Sequence, residues 1–381
     1  MVERGPGQKL TERPVSIDLA EFEDCYDQPQ WWHYQAMADN AKQYALQQKE
    51  QQSASPTALR EEEKQAPPST LGSGSSTQRP PAVVEESAVE NFLNPTIVPS
   101  ITVLRKYIPQ AAFDFVPARI DVMWESEDSM QRMIFHESQP LEQREQDALD
   151  GFRRYIRDNN LFLPQGYDNE TRLIERFLEG ARFKVEDAYK QLMFHHEFVQ
   201  GFPIQIDAFK SWKEELNKGY AYVYRRDRSF RPLFIMNVNK VKKVKTDHET
   251  LINMSTFMIQ FIITHALIPG KVENWVSIID MKDVGITEIP KTLITKMTKP
   301  LQDLFKSRLY RLYIINSQWA IKIVWSIAKN VVDPLTIKKF CLQGDKFQKE
   351  LHSLVDPSQL EKKFGGTLPD KVDNFFPPDL A

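Results

Sequence analysis

A chain of 381 residues with 41% hydrophobic content has room for one large domain or two ordinary ones and enough apolar side chains for a real core. Its two cysteines exclude a disulfide framework, and with a net charge of −3 neither half of the chain is basic enough to argue for nucleic-acid binding. Residues 1–136 hold 12 Lys and Arg against 20 Asp and Glu, whereas the remainder holds 37 against 32, so we expect an acidic N-terminal extension and a mildly basic domain with different partners.

The extension begins with an aromatic helix and a linker. Residues 30–52 are predicted to form a helix that carries Trp31, Trp32 and Tyr34. These side chains either pack back on the main domain or dock on a protein partner, and the sequence leaves both possibilities open. Residues 53–82 are rich in Ser, Pro, Gly, Gln and Glu, so they cannot bury enough apolar surface to fold and are predicted to be a linker.

A segment interrupted by prolines, residues 83–136, follows the linker. Its apolar clusters are too short for long helices because they are divided by Pro95, Pro99, Pro109 and Pro117. We expect an extended strap that lies along a surface, and we place the end of a largely irregular extension at residue 136.

Regular periodicity begins near Pro140. Residues 137–203 show three successive helical faces and are predicted to form a small helical lobe, which ends at Gly201-Phe-Pro203. Residues 204–381 then alternate between strands and helices, which predicts an α/β lobe with a mostly parallel, five-stranded sheet flanked by helices. The predicted strands are Tyr220–Tyr224, Pro232–Val238, Trp275–Asp280, Leu309–Asn316 and Phe340–Leu342. The predicted helices between and after them cover roughly 247–268, 288–305, 318–332 and 346–354.

The segment Trp319–Val332 is apolar around most of a helical perimeter. Its polar residues are spaced i, i+4, i+7 and i+8 and form one narrow stripe, made of Lys322, Ser326, Lys329 and Asn330. The apolar surface is wider than the core-facing side of an ordinary surface helix. Either this helix is fully buried, or part of it faces a lipid-filled cavity or a bilayer.

Five short motifs follow one another between residues 137 and 370. They are RFLEGARFKVEDA at 176–188, SIIDMK at 277–282, RLYRLYIINS at 308–317, DPLTIKK at 333–339 and KFGG at 363–366. In this order and spacing they resemble the CRAL-TRIO family of lipid-binding domains, which includes phosphatidylinositol/phosphatidylcholine transfer proteins. Residues 1–136 show no comparable resemblance.

The resemblance implies a helical lobe and an α/β lobe that enclose a single hydrophobic ligand, a phospholipid in many members, behind a mobile gate helix. A lipid leaves a bilayer only for an equally dry cavity, because each exposed CH₂ costs ~0.8 kcal/mol. The gate helix here would be residues 318–332. Its gate and cavity side chains would be Trp319, Ile323, Trp325, Ile327 and Val331. Apart from a bound lipid, no cofactor is expected.

Head-group contacts are implied for four residues: Lys339, Arg182, Ser277 and Ser307. Lys339 matches a family lysine that meets the inositol phosphate, and Arg182 matches the second of two adjacent basic residues, the first of which is alanine here. Ser307 stands where the family has a glutamate. Ser277 matches one of two small polar residues associated with phosphatidylcholine, and the position of the other holds Trp275. These departures leave the identity of the lipid open.

A basic cluster follows the second predicted strand and consists of Lys240, Lys242, Lys243 and Lys245. It can contact anionic head groups, at ~1 kcal/mol per basic residue near a membrane surface, or it can be a solvated loop. The longest apolar run, residues 257–268, is too short and too polar to span a bilayer. We therefore expect a cytoplasmic protein that is peripheral to membranes or associated with a large assembly.

Catalytic and metal sites are not predicted. His195, His196 and His265 lack metal-ligand spacing with carboxylates or thiols, and the sequence has neither a Gly-x-Ser-x-Gly motif nor a phosphate-binding loop. Asp280 and Asp283 have no histidine or nucleophile near them in the sequence, which favours a role in turns.

Two non-enzymatic functions are therefore compared. The first is a lipid-binding or lipid-transfer protein, which the motifs and the gate helix favour. The alternative is a scaffold or adaptor that is tethered to a larger assembly through residues 1–136. Loss of protein partners after removal of this extension would support the alternative, and unchanged partners would exclude it.

Overall fold

The structure is a computed structural model. It describes residues 107–126, 129–164, 167, 171–201, 212–244, 246–285, 291–316, 322–323, 325–327, 330, 332–344 and 346–380. All elements below belong to these ranges.

Residues 107–136 form two short helices and a β-hairpin. The elements are α1 (Gln110–Asp114), α2 (Arg119–Val122), β1 (Met123–Ser126) and β2 (Ser129–Arg132). Their apolar side chains are buried with the main body: Tyr107 and Ile108 belong to one core cluster, and Trp124 and Met133 belong to another. The boundary that the sequence suggests at residue 136 thus does not separate these residues from the core. The short apolar clusters between the prolines supply buried side chains, not a strap on the surface.

Three helices form the small lobe that the sequence predicts. They are α3 (Gln143–Asp158), α4 (Thr171–Gly180) and α5 (Val185–Gly201). At the start of α3, the Glu145 carboxylate accepts a hydrogen bond from the backbone N–H of Glu142 at 2.8 Å, which satisfies an amide outside the helical hydrogen-bond pattern. The apolar faces meet in one core cluster made of Leu149, Phe152, Ile174, Phe177, Leu178, Ala181, Ala188 and Leu192.

A five-stranded sheet forms the second lobe. Its strands are β3 (Ala221–Arg226), β4 (Pro232–Asn237), β5 (Trp275–Asp280), β6 (Leu309–Ile315) and β7 (Phe340–Gly344). They lie in sequence order, with β3 antiparallel to β4 and the other pairs parallel. The predicted fold class, a mostly parallel five-stranded sheet with a small helical lobe, is confirmed.

Helices flank this sheet. They are α6 (His248–Phe261), α7 (Lys291–Leu304), α8 (Pro334–Ile337) and α9 (Gln348–Leu354). A π-helical turn, Ile262–Ala266, extends α6, and a 3₁₀ segment, Val238–Lys243, follows β4. Within the described ranges, no helix combines the length and the apolar character needed to cross a bilayer.

The two faces of the sheet pack against different layers. Side chains that alternate along a strand point to opposite faces, so Ile235, Ile278 and Tyr313 lie together in one core cluster. The adjacent positions Phe234, Ser277 and Leu312 are direct partners across β4, β5 and β6, and they form a row on the other face. That second face borders the site described next.

Candidate functional site

A cavity of about 300 Å³ lies between this face of the sheet and α7. Ser277 contributes to its volume, because this short side chain stands between Phe234 and Leu312 on the neighbouring strands. The walls are mainly apolar. They are formed on the sheet side by Phe234, Met236, Ile279, Leu312 and Ile314, and on the helix side by Ile294, Met297, Leu301 and Phe305.

One end of the cavity is polar. The polar side chains are Gln131 on β2, Glu179 near the end of α4, Ser307 before β6, and Asp333 and Lys339 before β7. The residues before β6 and β7 mark the amino-terminal end of the parallel strands. The cavity is therefore amphipathic along the strand direction, with polar groups at the start of the strands and apolar walls beyond them.

Buried hydrogen bonds hold α4 against this end. Arg176 is 4% exposed, and its guanidinium donates to the backbone oxygens of Lys306 and Ser307, each at 3.2 Å, and to the Glu273 carboxylate. The Asn274 amide donates at 2.7 Å to the same Ser307 oxygen. These bonds constrain the loop before β6 and place Glu179, one helical turn after Arg176, at the cavity.

Glu179 is a buried carboxylate in the cavity wall. It is 4% exposed, and burial raises its pKa to about 7, despite a hydrogen bond from the backbone of Arg132 and the nearby charge of Arg144. Its Oε2 atom has no hydrogen-bond partner among the residues that the structure describes. Glu179 thus presents an acceptor that the surrounding protein leaves unused.

Lys339 is a buried amine at the same end. It is 2% exposed, and burial lowers its pKa to about 7, although Glu179 and Asp333 partly oppose this shift. Its Nζ donates to the backbone oxygen of Leu309 at 2.9 Å and to the Met133 sulfur at 3.4 Å. Much of the donor capacity of Lys339 is therefore directed to the protein.

The structure brings three of the four predicted head-group residues into one cavity, since Lys339, Ser277 and Ser307 all line it. Ser307 Oγ accepts a hydrogen bond from the Gln131 amide at 3.1 Å. Arg182 does not line the cavity; it is about half exposed and forms an ion pair at 2.7 Å with Asp333, which does line it. A role of these four residues in lipid binding stays a prediction.

The predicted gate helix is described only in part. Residues 322–323, 325–327 and 330 are helical, whereas Trp319 and Val331 lie outside the described residues. Ile327 is buried, Ile323 packs against a small core cluster with Met281, and Trp325 is 42% exposed. These three side chains are not among the described residues that line the cavity. Their role in a gate is still a prediction.

The predicted contact surfaces are described even less completely. Lys240 lies 4.4 Å from the centre of the Phe375 ring, and Lys242 and Lys243 belong to the 3₁₀ segment after β4. Lys245 lies outside the described residues. So do the aromatic residues of the extension, Trp31, Trp32 and Tyr34, and the linker 53–82. Membrane contact and partner docking stay predictions.

Sequence reasoning missed Glu179 and Gln131. On α4, Arg172, Glu175, Arg176 and Glu179 are spaced i, i+3, i+4 and i+7, and such a polar stripe normally indicates the solvent-facing side of a helix. Here the stripe faces the hairpin and the loop before β6. Gln131 lies in a short hairpin that the sequence pattern did not predict. A stripe that mixes acidic and basic residues also occurs on solvent-exposed helices, so the sequence held no signal of this burial.

Reactive groups outside the cavity have structural roles. Cys341 is buried on β7, its thiol is 3.0 Å from a Glu350 carboxylate oxygen, and burial raises its pKa to about 12. Asp280 accepts hydrogen bonds from the Lys282 N–H and the Asn316 amide, as expected for a residue that stabilises a turn. Across the described ranges, no group of three or more His, Cys, Asp or Glu is arranged to hold a metal ion.

The comparisons of this chain with known proteins agree with one another. Residues 216–366 match the CRAL/TRIO domain. Phosphatidylinositol/phosphatidylcholine transfer protein SFH9 of Arabidopsis thaliana is 26% identical over 243 residues, which cover 59% of this chain and 42% of that protein. The Sec14 cytosolic factor of Schizosaccharomyces pombe is 24% identical over 243 residues, or 59% of this chain and 83% of that protein.

Several relatives are much longer than the part that matches this chain. The chain spans less than half the length of several curated relatives that it matches, including 43% of protein SFH12 of Arabidopsis thaliana. Among solved structures, the crystal structure of Sfh5 aligns with a TM-score of 0.49 and 14% identity, over 63% of this chain and 95% of that chain. This similarity is too low to add to the fold described above.

Proposed function

We propose that this chain, whose residues 216–366 match the CRAL/TRIO domain, binds one lipid molecule in the cavity between the sheet and α7 and carries it between membranes. The observation that carries the proposal is the amphipathic cavity itself, with apolar walls and a buried polar end. An acyl chain gains the transfer free energy of a dry environment along these walls. The polar end then provides hydrogen bonds for a head group that would otherwise be desolvated.

Lipid exchange requires a route between the cavity and a bilayer. We assign this role to the helix predicted at residues 318–332, which follow β6 in the sequence. Ile327 faces the protein interior, while Trp325 is partly exposed, and an exposed indole can insert at a membrane interface. The basic residues Lys240, Lys242, Lys243 and Lys245 provide a second contact, with anionic head groups.

Lys339 lines the polar end of the cavity, as Lys306 beside Ser307 also does, and its charge can contribute to the affinity for a lipid head group. Its lowered pKa means that it is charged below about pH 7 and mostly neutral above that value. The affinity for any lipid with an anionic head group should therefore be higher below pH 7 than above it. Lys339→Met, which has a similar length and no charge, should reduce this pH dependence, and the part that remains reflects Glu179, whose pKa is also about 7.

A lipid-transfer assay tests the proposal. Donor vesicles carry radiolabelled phosphatidylcholine, phosphatidylinositol or monoacylglycerol in turn, and acceptor vesicles carry none. We expect the protein to accelerate transfer of at least one of them. Met297→Trp should reduce that transfer at least about 10-fold, because Met297 lines the cavity and the larger ring fills it.

Lys296→Trp is the matched control, because Lys296 precedes Met297 on α7 but faces solvent. It should transfer lipid at the wild-type rate. Thermal midpoints of both variants show whether overpacking has unfolded the protein. If the protein transfers none of the three lipids, the proposal is contradicted. If folded Met297→Trp transfers lipid at the wild-type rate, the assignment of the cavity is contradicted.

A further inference from the structure

The polar end of the cavity presents unused acceptors. Glu179 is 4% exposed and Gln131 is 7% exposed, and both line the cavity. Glu179 Oε2 and Gln131 Oε1 have no hydrogen-bond partner among the described residues. The polar end of the cavity therefore contains two buried side-chain oxygens that accept no hydrogen bond from the described residues.

Two donors that line this end, the Gln131 amide and the Lys339 amine, are already engaged with the protein. The Gln131 amide N–H group donates to Ser307 Oγ at 3.1 Å, and this bond orients Gln131 Oε1. Lys339 Nζ donates to Leu309 and Met133. Since buried acceptors without partners are rare in native proteins and destabilise them, the arrangement indicates a missing donor.

The charge and size of the site limit what can supply that donor. A phosphate or a carboxylate offers acceptors only at neutral pH, and it would be repelled by an ionised Glu179. The volume of about 300 Å³ lies at the small end of the ~300–1,000 Å³ range of ligand pockets. A compact ligand with one apolar chain fits this volume better than a diacyl phospholipid does.

We propose that the lipid bound here is a single-chain lipid whose polar end is a hydrogen-bond donor, a hydroxyl or an amine, and that Glu179 and Gln131 accept its hydrogen bonds. The apolar chain then extends along Phe234, Met236 and Ile279, away from the polar end. This inference rests on the proposed function, since it identifies the class of lipid that the cavity takes.

A competition measured by native mass spectrometry tests the inference. Wild-type protein at pH 8 is incubated with phosphatidylcholine vesicles that contain equal amounts of oleyl alcohol and oleyl methyl ether, in which a methyl group replaces the donor hydrogen. We expect the alcohol to be bound over the ether by on the order of 10-fold, the ratio typical of a hydrogen bond to a charged acceptor. In Glu179→Met the ratio should fall close to 1.

Gln302→Met is the matched control. Gln302 also lines the cavity, but its side chain is bonded to the Asp333 N–H at 2.7 Å and the Thr298 oxygen at 3.2 Å. This variant should keep the wild-type preference for the alcohol. Because the ratio is internal to each sample, it remains informative for a variant that is partly destabilised.

Two further measurements show which type of donor the site prefers and which of the two proposals fails. The wild-type ratio of bound oleylamine to bound oleyl alcohol shows whether the site favours an ammonium or a hydroxyl donor, and Glu179→Gln, which keeps an acceptor but removes the charge, should lower this ratio. An alcohol-to-ether ratio near 1 in wild type, or displacement of both probes by an equal amount of phosphatidylinositol, overturns the inference but leaves lipid binding intact. Binding of no lipid at all overturns the proposed function as well.

Discussion

Glu179 and Lys339 line the same cavity, and burial brings the pKa of each to about 7 from opposite directions. Above pH 7 the carboxylate is charged and the amine is neutral, whereas below pH 7 the carboxyl is neutral and the amine is charged. The combined charge of these two groups therefore changes from negative to positive as the pH falls. The groups that contribute to these shifts include Arg132, Arg144 and Glu145 near Glu179.

The raised pKa of Glu179 predicts a pH-dependent stability. Its folded-state pKa exceeds that of the unfolded chain, so its stabilising contribution is complete below about pH 4.5 and is lost as the pH rises to about 7. Glu179→Gln does not titrate. Relative to wild type, its free energy of unfolding should rise by roughly 3 kcal/mol between pH 4.5 and pH 8 in the absence of lipid.

Urea unfolding at pH 4.5 and pH 8 measures this difference. Glu214→Gln, at an exposed position outside the cavity, controls for the loss of one carboxyl group and should show little pH-dependent difference from wild type. A Glu179→Gln variant whose stability relative to wild type is the same at both values would mean that Glu179 is not held in a desolvated site.

At the residue scale, sequence reasoning found Lys339, Ser277 and Ser307 but not Glu179. The first three were inferred by resemblance, position by position, and the structure places them in one cavity. Glu179 belongs to a polar helical stripe, and a stripe of this kind looks the same in sequence whether water or a buried hairpin faces it. Only tertiary contacts distinguish the two cases.

At the scale of elements, the spacing of hydrophobic residues along the sequence predicted the bounds of β4 and β5 closely. Strand β5 was predicted with its observed bounds, Trp275–Asp280, and β4 differed by one residue at its end. Both are buried runs between clear helical segments, which makes the change of period easy to detect. The short helices α1 and α2 and the hairpin were not predicted, because elements of four or five residues show no measurable period.

The gate helix gives the prediction that belongs to this scale. Trp325→Asp places a charge where we expect contact with the bilayer, so lipid exchange with vesicles should slow several-fold while bound lipid is retained. Val372→Asp is the matched control, because Val372 is also an exposed apolar residue, at 78%, and lies outside the helix. Stopped-flow lipid exchange measures both. Equal rates for Trp325→Asp and wild type would assign the helix to the core instead.

At the scale of the whole molecule, charge and composition separated the chain into an acidic and a basic part, but they did not locate the boundary. Tyr107, Ile108, Trp124 and Met133 are buried with the main body, although they precede residue 137. A truncation that removes residues 1–139 would therefore damage the core as well as the extension. Removal of residues 1–82 is the cleaner test of an adaptor role, since it spares these four side chains.

The central claim is that this protein carries one lipid in the cavity between its sheet and α7. Native mass spectrometry of the full chain purified from cells tests it most directly. We expect a species heavier than the polypeptide by the mass of a single lipid, and extraction should yield a single-chain alcohol or amine. A mass equal to the polypeptide alone, with no lipid gained after incubation with vesicles, would contradict the claim.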